Sequence, residues 1–193
     1  TDPEHLKRVE AALAAGNVRA LKGYLGYLHH GPDSPGYRPY YELAERFGLP
    51  FVFHTGDTYS PRAKLRFAHP LGVDDVAVDF PRVNFVLAHL GNPWLADAAE
   101  VVYKNVNVWA DLSALVVGGE AELVGEERRE HLHDIREALR RAFRYAERPN
   151  RFLFGSDWPL APMAAYRDFI RSAIPEVYHP QVFEENARTL FKV

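Results

Sequence analysis

Pro50-Phe-Val-Phe-His-Thr-Gly-Asp57 decides the fold. The stretch is apolar from Pro50 to Phe53, meets its first imidazole at His54, and breaks at Thr55-Gly56. A short run that is apolar at both alternating positions reads as a strand buried on both faces, as in a parallel sheet with helices outside it. The pattern recurs. Val83-Asn-Phe-Val-Leu-Ala-His89 precedes Leu90-Gly-Asn-Pro93, Asn105-Val-Asn-Val-Trp-Ala-Asp111 precedes Leu112-Ser113, and Arg151-Phe-Leu-Phe-Gly-Ser-Asp157 precedes Trp158-Pro159. With 18–27 ahead of them, five strands are expected near 18–27, 50–54, 83–89, 106–111 and 151–157.

Helical patterns separate these runs. Residues 3–15 carry apolar positions at helical spacing, with Asp2 as N-cap, Pro3 in the first turn and Gly16 as stop. Further helices are expected over 40–47, where Gly48 ends the pattern, and over 72–80, 94–104, 161–172 and 180–191. A long, highly charged helical stretch covers 120–148, in one piece or two. Strand and helix alternate throughout, with no linker, repeat or low-complexity tract beyond that alternation, so the fold class is α/β.

Composition narrows the function. The 193 residues are 47% hydrophobic and 25% charged, as in soluble globular domains and unlike disordered chains. A net charge of −3 gives nucleic acid no electrostatic hold. No apolar window approaches the ~18 residues of a membrane span, and no signal peptide is visible, so a cytoplasmic protein without membrane partners is expected. Cysteine is absent, which removes disulfides and thiolate ligands. The nine histidines and the carboxylates are then the available metal ligands.

Three strands end in such residues: His54, His89 and Asp157. In parallel α/β folds the C-terminal strand ends share one face, where active sites form. Two imidazoles and a carboxylate suit one divalent ion, Zn²⁺ first, with Mn²⁺ and Fe²⁺ open because N/O ligands discriminate weakly. Such an ion brings the pKa of a bound water towards ~7, and a nearby carboxylate can relay its proton. Each residue also has a plain reading: a hydrogen-bonded structural histidine for His54 or His89, and a helix cap for Asp157. Their common position at strand ends favours a site.

Other residues are weighed as substrate contacts. Asp57 either touches substrate or caps a helix, and His29, beside His30 in a turn-rich loop, can approach the strand ends. Asp111 with Ser113 either lines the pocket or hydrogen-bonds a neighbouring loop, and Trp158 follows Asp157 directly. His131 and His133 lie two apart in a helical stretch, so they face different ways and read as part of a solvated charged face.

The four segments 50–57, 87–93, 107–113 and 154–159, in this order, resemble the amidohydrolase-2 family of the amidohydrolase superfamily. Phe183-Glu-Glu-Asn-Ala-Arg-Thr-Leu-Phe191 is similar to that family's last helix. The resemblance covers about Leu21 to Phe191 and implies a (β/α)₈ TIM barrel acting as a metal-dependent hydrolase or decarboxylase. By position it implies that His54 is a metal ligand on strand five. It implies that His89 on strand six binds metal, holds the nucleophilic water or polarises substrate. It also implies that Asp157 on strand eight is a ligand and general acid/base. The superfamily's strand-one His-x-His is not in this sequence, and its bridging lysine falls where Leu25 stands, although Lys22 is on the same strand.

The five strands would then be strands four to eight. Strands one to three, about 80–90 residues at typical βα lengths, are expected upstream of Thr1, making 1–193 the C-terminal part of a single barrel domain. The alternative is a short protein that closes its sheet against another copy, and a homodimer is open in either case.

The leading expectation is a hydrolase in which metal-activated water cleaves a C–O or C–N bond of a small amide, lactone or ester. One alternative is a decarboxylase of an aromatic or unsaturated acid, which needs an anion-binding arginine; Arg62 or Arg66 are within reach by sequence. The other is a catalytically silent barrel without the His-x-His.

Overall fold

The computed structural model describes residues 2–193. Five strands, β1 (Leu21–Tyr24), β2 (Phe51–His54), β3 (Phe85–Ala88), β4 (Val108–Asp111) and β5 (Phe152–Leu153), form one sheet in chain order. Every neighbouring pair is parallel. The helices are α1 (Pro3–Ala14), α2 (Arg38–Phe47), α3 (Leu71–Asp79), α4 (Leu95–Lys104), α5 (Glu120–Val124), α6 (Arg129–Ala146), α7 (Met163–Ala173) and α8 (Asn186–Phe191). Consecutive strands being neighbours throughout is the winding of a βα barrel. Among the described residues β1 pairs only with β2, and β5 only with β4, so the sheet is an open arc.

Strand alternation sorts side chains onto two faces. Phe51, Phe53, Phe85, Leu87, Val108, Ala110 and Phe152 join the large core beneath the helices. The opposite, concave face is layered by register. Lys22, Val52, Val86 and Trp109 lie side by side in one layer, and Tyr24, His54 and Ala88 in the next, towards the C-terminal ends. Val86, Trp109, Leu153 and Leu190 make a second, smaller core on this face, with Val52, Ala187 and Phe191 against it. Thus α8 packs on the concave side. Lys192 Nζ donates to the Gly48 carbonyl at 2.8 Å, which fixes its end near the start of β2. That leaves the C-terminal strand ends open above it.

Local chemistry explains the boundaries. Asp2 Oδ1 accepts the Glu4 N–H at 3.0 Å and caps α1. Gly48 takes φ 61° and stops α2 in a left-handed turn. The first strand is shorter than 18–27 because Gly26 turns the chain at φ 83° and Leu28 N–H closes on the Tyr24 carbonyl. The last ladder is only two residues, not seven. Beyond it the Phe154 N–H leaves the sheet for the Val182 carbonyl, and Asn186 Nδ2 donates to the Phe152 and Pro149 carbonyls, covering the edge of β5. The charged stretch is two helices, broken at Gly125. Leu132, Leu139, Ala142, Phe143 and Ala146 form the buried stripe of α6. Residues 181–185 are π-helical and run into α8.

Candidate active site at the strand ends

His54 is the last residue of β2 and is buried. Its Nε2 lies 2.8 Å from the Asp57 carbonyl. A carbonyl only accepts, so Nε2 carries the proton and Nδ1 keeps its lone pair. Burial pushes the His54 pKa down to about 4; the nearby His89 adds to the push and the Asp57 carbonyl opposes it. His54 is therefore a neutral imidazole at pH 7. Tyr27 packs edge-on against its ring at 5.0 Å.

The turn after His54 is tightly held. Thr55 Oγ1 donates to the Ala88 carbonyl at 2.6 Å, Gly56 N–H to Ala68 and Asp57 N–H to Asn92. Gly56 sits at φ 91°, and a Cβ there would lie 2.2 Å from the Asn92 carbonyl oxygen. Only glycine fits this approach between the β2 and β3 ends.

His89 follows β3 at φ 62°, and Asp157 follows β5 at φ 58°. Non-glycine residues rarely adopt this left-handed region, and functional sites are where such strain collects. Asp111 holds the first of them: its Oδ1 accepts the His89 N–H at 3.0 Å, the Ser113 N–H at 3.0 Å and the Ser113 hydroxyl at 2.5 Å. With its hydroxyl proton committed to Asp111, Ser113 Oγ accepts from His89 Nδ1 at 2.8 Å, and the Ser113 carbonyl stands 3.3 Å from the same nitrogen. The proton of neutral His89 is then on Nδ1, and Nε2 is bare.

That bare Nε2 lies 3.2 Å from the bare Nδ1 of His54. Two lone pairs at this distance repel unless a proton or a cation sits between them. Two nitrogens bound at about 2.0–2.1 Å to one tetrahedral ion stand about 3.3 Å apart. The pair therefore fits two ligand positions of such an ion. Among the described residues no group of three or more His, Asp or Glu side chains is drawn close enough to hold a metal on its own. The described residues thus supply two converging nitrogens, and Asp157 is a carboxylate on the same cavity without a hydrogen-bond partner.

The cavity has a volume of about 740 Å³ and is lined by His54, His89, Asp157 and Asp57, together with Tyr24, Tyr27 and Tyr59. This is the size of a small-molecule site. Four of the seven residues expected from sequence are thus together. The other three are elsewhere. His29 is exposed and its Nε2 bonds the Arg62 carbonyl at 2.8 Å. Asp111 lies behind His89, bonded to backbone and Ser113 rather than open to the cavity. Trp158 is 72% exposed and lines an adjoining cavity that shares Tyr59, Val117 and Leu160 with the first.

Three basic residues enter that sequence reading did not place there: Lys22, Arg128 and His131. Leu25 is fully buried in the core, whereas Lys22 lies on the concave face. Partial desolvation lowers the Lys22 pKa, while Asp111 and Asp157 act to raise it. Period-two alternation was the available signal: Lys22 pairs with Val52, two residues before His54 and on the same face. Arg128 and His131 come from the start of α6, for which strand patterns hold no signal. Arg62 and Arg66 do not line the cavity; the Arg66 guanidinium stacks over Phe67 at 4.6 Å.

Comparison with known proteins bears on the family and the fold. The family model described as amidohydrolase (Amidohydro_2) matches residues 1–193, and the chain belongs to that family. No curated protein matches the sequence. Among solved structures, an uncharacterised TIM-barrel protein from Bordetella bronchiseptica is similar with a TM-score of 0.73 and 21% identity, over 97% of this chain and 61% of that one. A 5-carboxyvanillate decarboxylase from Novosphingobium aromaticivorans, complexed with manganese and 4-hydroxy-3-methoxy-5-nitrobenzoic acid, gives a TM-score of 0.65 and 10% identity, over 100% and 63%. A probable 2-pyrone-4,6-dicarboxylic acid hydrolase from Acinetobacter baumannii gives 0.64 and 13%, over 97% and 69%. At these identities the likeness is one of fold. The five-stranded sheet is an arc of a TIM barrel, and the chain spans 61–69% of the length of these barrels.

Proposed function

We propose that the strand-end cavity is the active site of a metal-assisted hydrolase that cleaves a C–O or C–N bond of a small amide, lactone or ester. The observation that carries this reading is the 3.2 Å approach of His54 Nδ1 and His89 Nε2 in a cavity that Asp157 also lines. His54 Nδ1 and His89 Nε2 would hold the ion, with Asp157 as the further ligand. A divalent ion there, Zn²⁺, Mn²⁺ or Fe²⁺, would supply the Lewis acidity that lets a water ionise near neutral pH.

The chain's own residues account for the rest. The Asp57 carbonyl and Ser113 hold the two imidazole rings by their far nitrogens, which fixes their orientation. Asp157 takes the proton of the attacking water at its carboxylate and returns it to the leaving nitrogen or oxygen. Tyr27, Tyr59 and Leu160 line the cavity beside these groups.

A second reading, release of CO₂ from a carboxylated substrate, is favoured by one observation: two cations, Lys22 and Arg128, line the same cavity. Metal titration and a substrate panel test both. Wild type should take up Mn²⁺ or Zn²⁺ stoichiometrically, and His54→Gln and His89→Gln should each weaken that binding by at least about tenfold. Metal-dependent acid release from lactones, esters or amides supports hydrolysis, whereas CO₂ release from aromatic acids supports the second reading. Occupancy that stays at a few per cent after metal loading would reject both.

A further inference from the structure

We propose that Arg128 is a specificity residue that anchors a carboxylate on the substrate, away from the bond that reacts. This deepens the reading of the cavity as a substrate site and rests on it. Arg128 lies just before α6, and Arg128, His131 and Ile135 all line the cavity. Spacings of three and four put these residues on one helix face. The strand ends contribute Lys22, His54, His89 and Asp157 to the same space, so the reacting groups and Arg128 belong to different walls.

The state of Arg128 sets it apart from its neighbours. Arg129 pairs with Glu126, Arg140 with Glu137, and Arg136 donates to Ser172. Arg128 is half-buried as a residue, and its guanidinium makes no hydrogen bond or ion pair among the described residues, although Glu126, Glu127 and Glu130 lie within two positions of it. It forms no ion pair with Asp57 or Asp157 across the cavity either. A cavity-lining guanidinium with no protein partner keeps its five donors for a ligand, and a carboxylate engages them with two parallel N–H···O bonds. His131, also without a partner, adds a further donor beside it. Tyr24, Tyr27, Tyr59, Ile135 and Leu160 add flat and apolar surface to the same lining, which suits a planar carbon skeleton.

The test uses the full chain loaded with Mn²⁺ and two probes of the same shape, benzene-1,3-dicarboxylate and 3-carbamoylbenzoate, which differ by one charge. Calorimetric titration of wild type should show about tenfold tighter binding of the dicarboxylate, the scale of one charge-assisted bidentate contact. Arg128→Gln should bring the two probes within about twofold, with thermal stability and Mn²⁺ stoichiometry unchanged. Arg128→Lys should keep part of the preference, since the charge remains and the fork is lost. Equal binding of both probes to wild type, or no binding of either, overturns the proposal. So does an Arg128→Gln variant that keeps the full preference or weakens both probes alike. Mn²⁺ stoichiometry, measured in the same samples, reports separately on the metal site, so a failure there is distinguishable from a failure here.

Discussion

The strand-end side of the cavity and the α5–α6 side are built in opposite ways. At the strand ends the two histidines are held by defined partners. Asp111 accepts three hydrogen bonds, Ser113 links it to His89, and His89 meets His54, whose far nitrogen is tied to Asp57. On the other side, Arg128 and His131 have none, and Val124 of α5 is 68% exposed. On the function proposed above, the contrast is a division of labour. A reaction needs groups held to a fraction of an ångström, so their neighbours must fix them. Selection among substrates needs donors left free for the ligand, so their neighbours must leave them alone.

The largest expected effect is at the rigid side. Asp157→Asn keeps the shape of the side chain and removes its basicity. Turnover should fall about 10²–10⁴-fold, with the far-UV circular dichroism unchanged. Retained turnover would show that the proton is handled elsewhere and that the strand-end carboxylate is not part of the rigid machinery. Next comes Gly56→Ala. It forces an L-residue into φ 91° with its Cβ 2.2 Å from the Asn92 carbonyl oxygen. The expected cost is about 3 kcal/mol, a drop of about 6–12 °C in melting temperature for a chain of this length. A drop of less than about 2 °C would mean that the joint between the β2 and β3 ends yields more readily than its hydrogen bonds imply.

The rigid side was legible in sequence, and the reason is physical. A buried parallel strand has little room for polar residues, so a histidine or aspartate at its end stands out against the apolar run. His54, His89 and Asp157 were each visible in this way. The details were not. Asp111 ends its strand as His54 does, yet it faces His89 and Ser113 because the left-handed turn at His89 brings its N–H within reach. Trp158 follows Asp157 but projects into the adjoining cavity, since Asp157 at φ 58° redirects the chain. His29 is drawn off by the Arg62 carbonyl. Arg128 and His131 carry no strand-end signature at all, because their position depends on where Gly125 divides the charged stretch.

Protonation offers a third, smaller way to probe the contrast. In the folded chain the His54 pKa is about 4, against 6.5 as the ordinary value. Between these values the unfolded chain binds more protons than the folded one, so stability rises with pH across that window. In metal-free protein it should be fully present above pH 6.5, fall as the pH drops to about 4, and fall no further from this group below that. The contribution is on the order of 2 kcal/mol once partial solvent access is allowed for. Urea midpoints at pH 7 and pH 4.5 should therefore converge in His54→Gln relative to wild type. A difference that persists unchanged in the variant would assign the slope to other groups.

The smallest expected effect is on the α5–α6 side, and a null result there carries as much weight as a loss at the strand ends. Val124→Ser alters a side chain that is 68% exposed at the end of α5, four residues before Arg128. An exposed position with no buried contact to lose should change stability by less than about 0.5 kcal/mol, within error in a urea titration, and leave turnover within about twofold. A loss above about 1 kcal/mol would show that Val124 is covered in solution, since no exposed valine yields that much on truncation to serine. The α5–α6 segment would then be packed against something, and the free donors of Arg128 and His131 would have to be explained by that contact rather than by a substrate. A neutral outcome leaves the segment as it stands: anchored at α5 by the buried Leu123, with Val124 in solvent and the donors of Arg128 and His131 free for a ligand.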